Sequence, residues 1–295
     1  MGIATECMII NLQQGSWEGR KLDREASKRV NTDSGATGDV ARVNKLIIQK
    51  EAMSGIVSKH SAIYSHYRLH TLPWKDNGDR LLSRKMYARF IEGHEQLVAD
   101  FNVEVTKFID VTYPAERARA EFRMGNLFKP EDYPAAEELR GKFYNRMTID
   151  AVAEAQDFRV KMSDEKRGEI QAQIESNMAE RINKVMAQVW ANLAKHVEHF
   201  AERMKSEGGR LHDSARDNLL ELCDILPGLN ILNDPDLKRM GLEIKQRISA
   251  YDMKELRHPK KGPALKSQAA ADADEIIEQM RGFMTALGGL APDEE

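Results

Sequence analysis

Cysteine is nearly absent from this 295-residue chain: Cys7 and Cys223 stand far apart, each among apolar neighbours. That leaves at most one disulfide and no paired CxxC, and it predicts two buried thiols in a reducing compartment. Long apolar runs are missing too, since none approaches the ~20 residues that span a bilayer. The first residues lack a basic stretch followed by an apolar signal core, so the expected location is the cytoplasm, with no membrane partner. Gly2 does not open a myristoylation motif, because Glu6 stands where Ser or Thr is required.

No charge sign prevails. Lysine and arginine number 44 against 47 acids, a net charge of -3, which argues against a globally basic nucleic-acid binder but leaves room for local segregation. Recognisable catalytic machinery is also missing: there is no Walker A sequence, no strand running into GxGxxG, no HExxH and no serine elbow. His66 with His70, and His196 with His199, have spacings that can share a metal. No cysteine or carboxylate set completes either pair, so they read as helix histidines among charges. The expectation is a protein without cofactor or catalytic residues, not an enzyme.

What the chain has in abundance is helical patterning. From Ser163 to Gly208 no proline occurs, and Ile170, Ile174, Met178, Ile182, Val185, Val189, Leu193, Val197, Phe200 and Met204 form one apolar stripe. Ser163 is placed to cap this helix, Asp164 and Glu165 suit its first turn, and Gly208-Gly209 suit its end. At 1.5 Å per residue it would run roughly 60 Å, too long to bury its stripe without another helix or subunit. The stripe advances by about 3.8 residues per step rather than 3.5, which predicts a packed hairpin or bundle more than a regular coiled coil. Partner helices are expected over 213–226, 235–251 and 269–287.

Upstream, Cys7–Leu12 reads as a short buried strand, Trp17–Val30 as a basic helix, and Val40 to about Leu69 as helical. Pro73-Trp74-Lys75-Asp76-Asn77-Gly78 predicts a tight turn. Ser83 is expected to cap a helix reaching about Asp110, and Pro114 to open another ending near Met124. Phe143–Val152 alternates in polarity, as do Phe158, Val160 and Met162, so these segments predict a hairpin with one apolar and one basic face. The fold class expected is α+β, predominantly helical, with a small antiparallel sheet and a long helical arm or hairpin. Expected boundaries are a mixed domain over 1–162, a helical region over 163–252, a basic linker over 253–266 and an acidic helix and tail over 267–295.

Candidate binding residues follow from charge and rings. Trp17, Arg20, Lys21 and Arg24 lie in the first basic segment, with Lys28 and Arg29 beyond. Tyr144, Arg146, Arg159 and Lys161 mark the basic face of the expected hairpin, with Arg140 and Lys142 near it. Arg257, Lys260 and Lys261 sit in the proline-bearing linker. Rings that stack bases among cations that neutralise phosphates suit single-stranded nucleic acid, although each group reads equally as a solvated surface. The acidic end could compete with nucleic acid for a basic groove or recruit a basic partner.

Ile10-Asn11-Leu12, Trp17-Glu18-Gly19-Arg20-Lys21-Leu22-Asp23, and Leu72-Pro73-Trp74-Lys75-Asp76-Asn77-Gly78 with Arg80 and Leu81 resemble an uncharacterised domain family of tailed phages and conjugative elements. The resemblance continues through Leu127–Pro134, Asp157–Val160 and Asn218–Asn230, and departs at Lys75, where an acid is usual. It implies an accessory protein encoded near MoxR or CobS-type AAA ATPases and DNA-recombination genes, and it transfers no functional residue. The leading expectation is a phage or mobile-element protein that binds single-stranded DNA non-specifically, as a homo-oligomer. The alternative is a structural adaptor that self-assembles or docks an AAA ATPase; a host-directed inhibitor is a third reading.

Overall fold

The computed structural model describes residues 3–154, 163–206 and 212–286. In chain order it forms α1 (Ile3–Glu6), β1 (Cys7–Gly15), β2 (Arg20–Asp23), α2 (Arg24–Asp33), β3 (Val43–Leu46), a 3-10 turn (Lys50–Met53), α3 (Ser54–His70), β4 (Leu72–Pro73), β5 (Arg80–Ser83) and α4 (Tyr87–Lys107). A π-helical turn (Phe108–Thr112) leads into α5 (Tyr113–Met124), followed by α6 (Ala136–Arg140), β6 (Tyr144–Ala151), α7 (Asp164–Lys205), α8 (Ser214–Leu229), α9 (Pro235–Ser249), α10 (Met253–Leu256) and α11 (Gly262–Ala286). The class is the expected α+β, mostly helical, with one sheet of order β4-β5-β1-β6 and a separate β2-β3 ribbon.

The chain divides into two compact units that interleave in sequence. Leu12–Tyr67 and Ile91–Thr148 make the ribbon unit; Met1–Asn11, Arg68–Phe90 and Ile149–Glu295 make the helical unit. The boundary expected after residue 162 is not where the chain divides. Strands β1 and β6 and helices α3 and α4 each run from one unit into the other, so no local break in the sequence marks the division.

In the helical unit, β1 and β5 pair antiparallel from Cys7 opposite Ser83 to Ile10 opposite Arg80, burying Ile10, Leu81 and Leu82. The turn between β4 and β5 closes as its composition predicts: the Trp74 N–H donates to the Asp79 carbonyl at 3.0 Å, and Gly78 adopts φ 91°, a conformation that strains other residues. Ser83 is not a helix cap. It ends β5, and its hydroxyl donates to the Gly228 carbonyl at 2.6 Å, tying the sheet to α8.

Helix α7 starts as predicted, with the Ser163 hydroxyl accepting from the Lys166 N–H. Its stripe behaves differently along its length. Val185, Val189, Leu193, Val197, Phe200 and Met204 are buried against α8 and α11, whereas Ile170, Ile174, Met178 and Ile182 are only half-buried. Trp190 anchors the buried half: its ring stacks on Phe283 at 5.4 Å between centroids, and its indole N–H donates to Asp234 at 3.1 Å. The expected glycine stop at Gly208-Gly209 and the second hairpin strand at Phe158–Met162 lie outside the described residues. The acids of α11 have structural partners: Asp272 accepts from the Tyr251 hydroxyl, Asp274 pairs with Lys205 at 2.7 Å and Glu275 with Arg247 at 2.6 Å.

The ribbon unit closes around Trp17, Ile47, Ile48, Phe101, Phe108, Tyr113, Tyr133 and Phe143. The helix expected from Trp17 begins only at Arg24. Trp17 is drawn into the core, Gly19 turns the chain at φ 64°, and Arg20–Asp23 pairs with Val43–Leu46. Asp23 then caps α2 by accepting from the Ala26 N–H at 2.9 Å. The helix expected from Val40 likewise starts only at Ser54, because Val43–Leu46 is taken up by the ribbon. Asn31 fixes the approach by bonding both the N–H and the carbonyl of Ala41.

Candidate nucleic-acid interface

One buried ion cluster holds the ribbon in place. Lys45, on β3, pairs with Asp132 and Asp23 and donates to the Leu127 carbonyl at 2.9 Å. The three charged side chains are 5%, 6% and 11% exposed, so neither carboxylate could be left uncompensated cheaply. The Ala26 N–H, and behind it the Lys45 and Lys129 ammonium groups, hold the Asp23 carboxyl below its ordinary range against the opposing effect of burial.

Beside this anchor, α2 and the loop after it enclose a cleft of about 720 Å³. Leu22, Arg24, Lys28, Asn31 and Arg42 line it, with Asp39 as its one acid. Arg24 and Lys28 stand one turn apart on α2 and therefore project together. Arg42 reaches the cleft from the loop that Asn31 fixes. Arg20 shares a strand face with Leu22, because side chains alternate along β2; Lys21 faces the other side, opposite Lys45. Arg20, Lys21, Arg24, Lys28 and Arg42 are exposed and take part in no ion pair among the described residues.

Other expected site residues fare differently. Trp17 is 9% exposed and packs against Phe108 and Tyr113, so it offers no ring face to a base; this corrects the stacking role expected of it. Trp74 is equally buried, at 7%. Arg140 pairs with Asp110 at 3.3 Å and Lys142 with Glu138 at 2.8 Å, which cancels their charge locally. Tyr144 is half-buried, its ring lying so close over Gly15 that a Cβ there would meet it at 2.1 Å, and Arg146 covers it at 4.6 Å. Arg159 and Lys161 lie outside the described residues.

In the helical unit, Arg257 pairs with Asp213. Lys260 and Lys261 are exposed in a turn, where their backbone N–H groups donate to the His258 ring at 3.2 and 3.3 Å. Of the expected cations Arg24 lines the cleft, Lys28 and Arg42 line it too, and Arg20 stands on the same strand face as the lining Leu22.

Two features were not singled out by sequence reasoning. Arg42 sits in a loop whose fold depends on Asn31, and no local pattern marks it. Phe122 is 98% exposed on α5, off the buried positions Tyr113, Glu116 and Ala120. A helical wheel anchored on those three positions would have placed it outward.

Both thiols are free and buried, and burial pushes Cys7 up to about 11 and Cys223 up to about 12. Among the described residues no three His, Cys, Asp or Glu side chains gather as a metal ion would require. His196 instead bonds the Asn192 carbonyl through Nδ1, and His199 accepts from Arg203. No helix among the described residues is long and apolar enough to cross a membrane. Compared with protein-family models, curated proteins and solved structures, the chain matches none of them.

Proposed function

We propose that the protein is a non-enzymatic binder of single-stranded DNA, without strong sequence preference, acting in the replication, recombination or transcription of a mobile element. The observation that carries the reading is the α2 cleft, where Arg24, Lys28 and Arg42 converge with Arg20 alongside and only Asp39 opposed. A phosphodiester backbone is the ligand such a cleft suits, because unpaired cations are spared the cost of breaking existing ion pairs. Neutralising about four phosphates on a single strand gives a salt slope near -2.8, so affinity should fall about 50-fold between 50 and 200 mM salt. Fluorescence anisotropy with a labelled oligothymidine at those two concentrations tests this. Binding that is absent at low salt, or unchanged by salt, removes the reading.

A second reading has its own observation. The first half of α7 keeps Ile170, Ile174, Met178 and Ile182 half-buried, a stripe the unit does not finish covering. Such a stripe suits an adaptor that docks a second copy or an AAA ATPase. A defined oligomer in solution, with mass unaffected by DNA and no oligonucleotide binding, favours it.

A further inference from the structure

We infer that the pocket between α8 and α9 is a binding site for a small amphipathic anion, an apolar body with a carboxylate head. It measures about 500 Å³, within the size range of small-molecule sites, and lies wholly in the helical unit. Two helix faces form it. On α8, Cys223, Leu226 and Pro227 stand at i, i+3 and i+4, and on α9 Lys238, Gly241, Leu242 and Lys245 stand at i, i+3, i+4 and i+7, so each set projects to one side. Gly241 lets the helices approach closely, since a Cβ there would meet the Leu226 side chain at 2.5 Å. Buried Cys223 and Leu226 give the pocket an apolar floor, and Leu242, 62% exposed, adds an apolar wall.

Charge sets the other end of the ligand. Lys85, Lys238 and Lys245 line the same pocket, against a single lining acid, Asp224, which Lys245 already pairs. The Lys85 ammonium donates to the Asn233 amide oxygen at 2.7 Å, a neutral acceptor that leaves its charge uncompensated, and the Lys238 side chain has no partner among the described residues. The backbone adds little, because the first N–H groups of α9, those of Asp236 and Leu237, are taken by the Asp234 side chain. An apolar floor beneath uncompensated ammonium groups selects the opposite pattern, a chain directed inward and a carboxylate held among the lysines. A nucleic-acid strand would meet the lysines but leave the apolar floor uncovered.

Calorimetric titration of the full chain with decanoate, kept below its micelle-forming concentration, tests this beside decyltrimethylammonium and decanol, which keep the chain and reverse or remove the charge. Wild type should bind decanoate saturably and the other two at least about 10-fold more weakly. Lys85→Gln combined with Lys238→Gln should weaken decanoate by about 10-fold or more, and Leu242→Asp should do so from the apolar side. All three positions are exposed, so the substitutions leave the core intact. Absence of saturable decanoate binding, or equal binding of decanol, overturns the proposal. If decanoate binds but either variant binds it undiminished, the assignment to this pocket is overturned. If a peptide with an apolar free C-terminus binds while decanoate does not, the occupant is a chain end and the small-molecule assignment is likewise overturned. None of these readouts depends on whether the protein binds DNA.

Discussion

Replacing Lys45 by methionine keeps the unbranched side chain up to the ε position and removes the charge at the centre of the Asp23–Lys45–Asp132 cluster. Two carboxylates, 6% and 11% exposed, would then lose the ammonium they share. Removing one partner of a buried pair costs about 3–5 kcal/mol. The lower end applies here, because Asp23 keeps its bond from the Ala26 N–H. With a urea dependence of about 1–3 kcal/mol per molar, the ribbon unit's midpoint should fall by about 1–3 M, read by amide exchange or circular dichroism.

The loss should depend on pH in a fixed direction. In the wild type the Asp23 carboxyl is held below its ordinary range, so its stabilisation is complete above about pH 4 and is lost as pH falls through the lower folded value. Without Lys45 that hold weakens, and the deficit should narrow as acid protonates the Asp23 carboxylate. Adding Asp132→Asn to Lys45→Met should recover part of the stability at neutral pH. A loss under about 1 kcal/mol, or a deficit that widens on acidification, would refute the reasoning about the cluster.

Other outcomes follow from the packing and the titrating groups. Leu193→Ala, in the buried half of α7, should cost about 2–5 kcal/mol in a melting or denaturant experiment, while Ile174→Ala in the half-buried part should cost less than about 1.5. His60 stacks on Phe101 at 4.4 Å, and burial lowers its proton affinity below the ordinary histidine value. Its contribution is therefore complete above the unfolded value of about 6.5 and lost as pH falls below it, and His60→Phe should flatten that decline in a series of melts from pH 7 to 5. Cys7 and Cys223 should resist a thiol reagent at pH 8 in the native protein and react once urea unfolds it, since burial holds both thiols neutral.

The parts of the fold that could be read from the sequence are those whose cause is local. Ser163 caps α7, Pro114 stands in the first turn of α5, and Asn77-Gly78 turns between β4 and β5, each within a few residues of the signal that predicts it. The ribbon was not legible, because Arg20–Asp23 becomes a strand only through a partner some twenty residues on, and its basic residues also fit a helix. Trp17 looked like a ring available for stacking until Phe108 and Tyr113 closed over it.

The site was half legible for the same reason. Arg20 and Arg24 were named from their charge, but whether a cation is free depends on distant carboxylates. Asp110 takes up Arg140 across thirty positions and Asp213 takes up Arg257 across forty-four, pairings that composition does not reveal. Lys45 reads as one more surface lysine and proves to be the most buried lysine among the described residues, at 7% exposure.

Charge reversal at the cleft tests the central claim most directly. Arg24→Glu, Lys28→Glu and Arg42→Glu combined should abolish oligothymidine binding in anisotropy at low salt, while Arg140→Glu with Arg257→Glu, which reverses only cations already paired, should weaken it far less. Equal losses in the two variants, or undiminished binding by the cleft variant, would contradict the account.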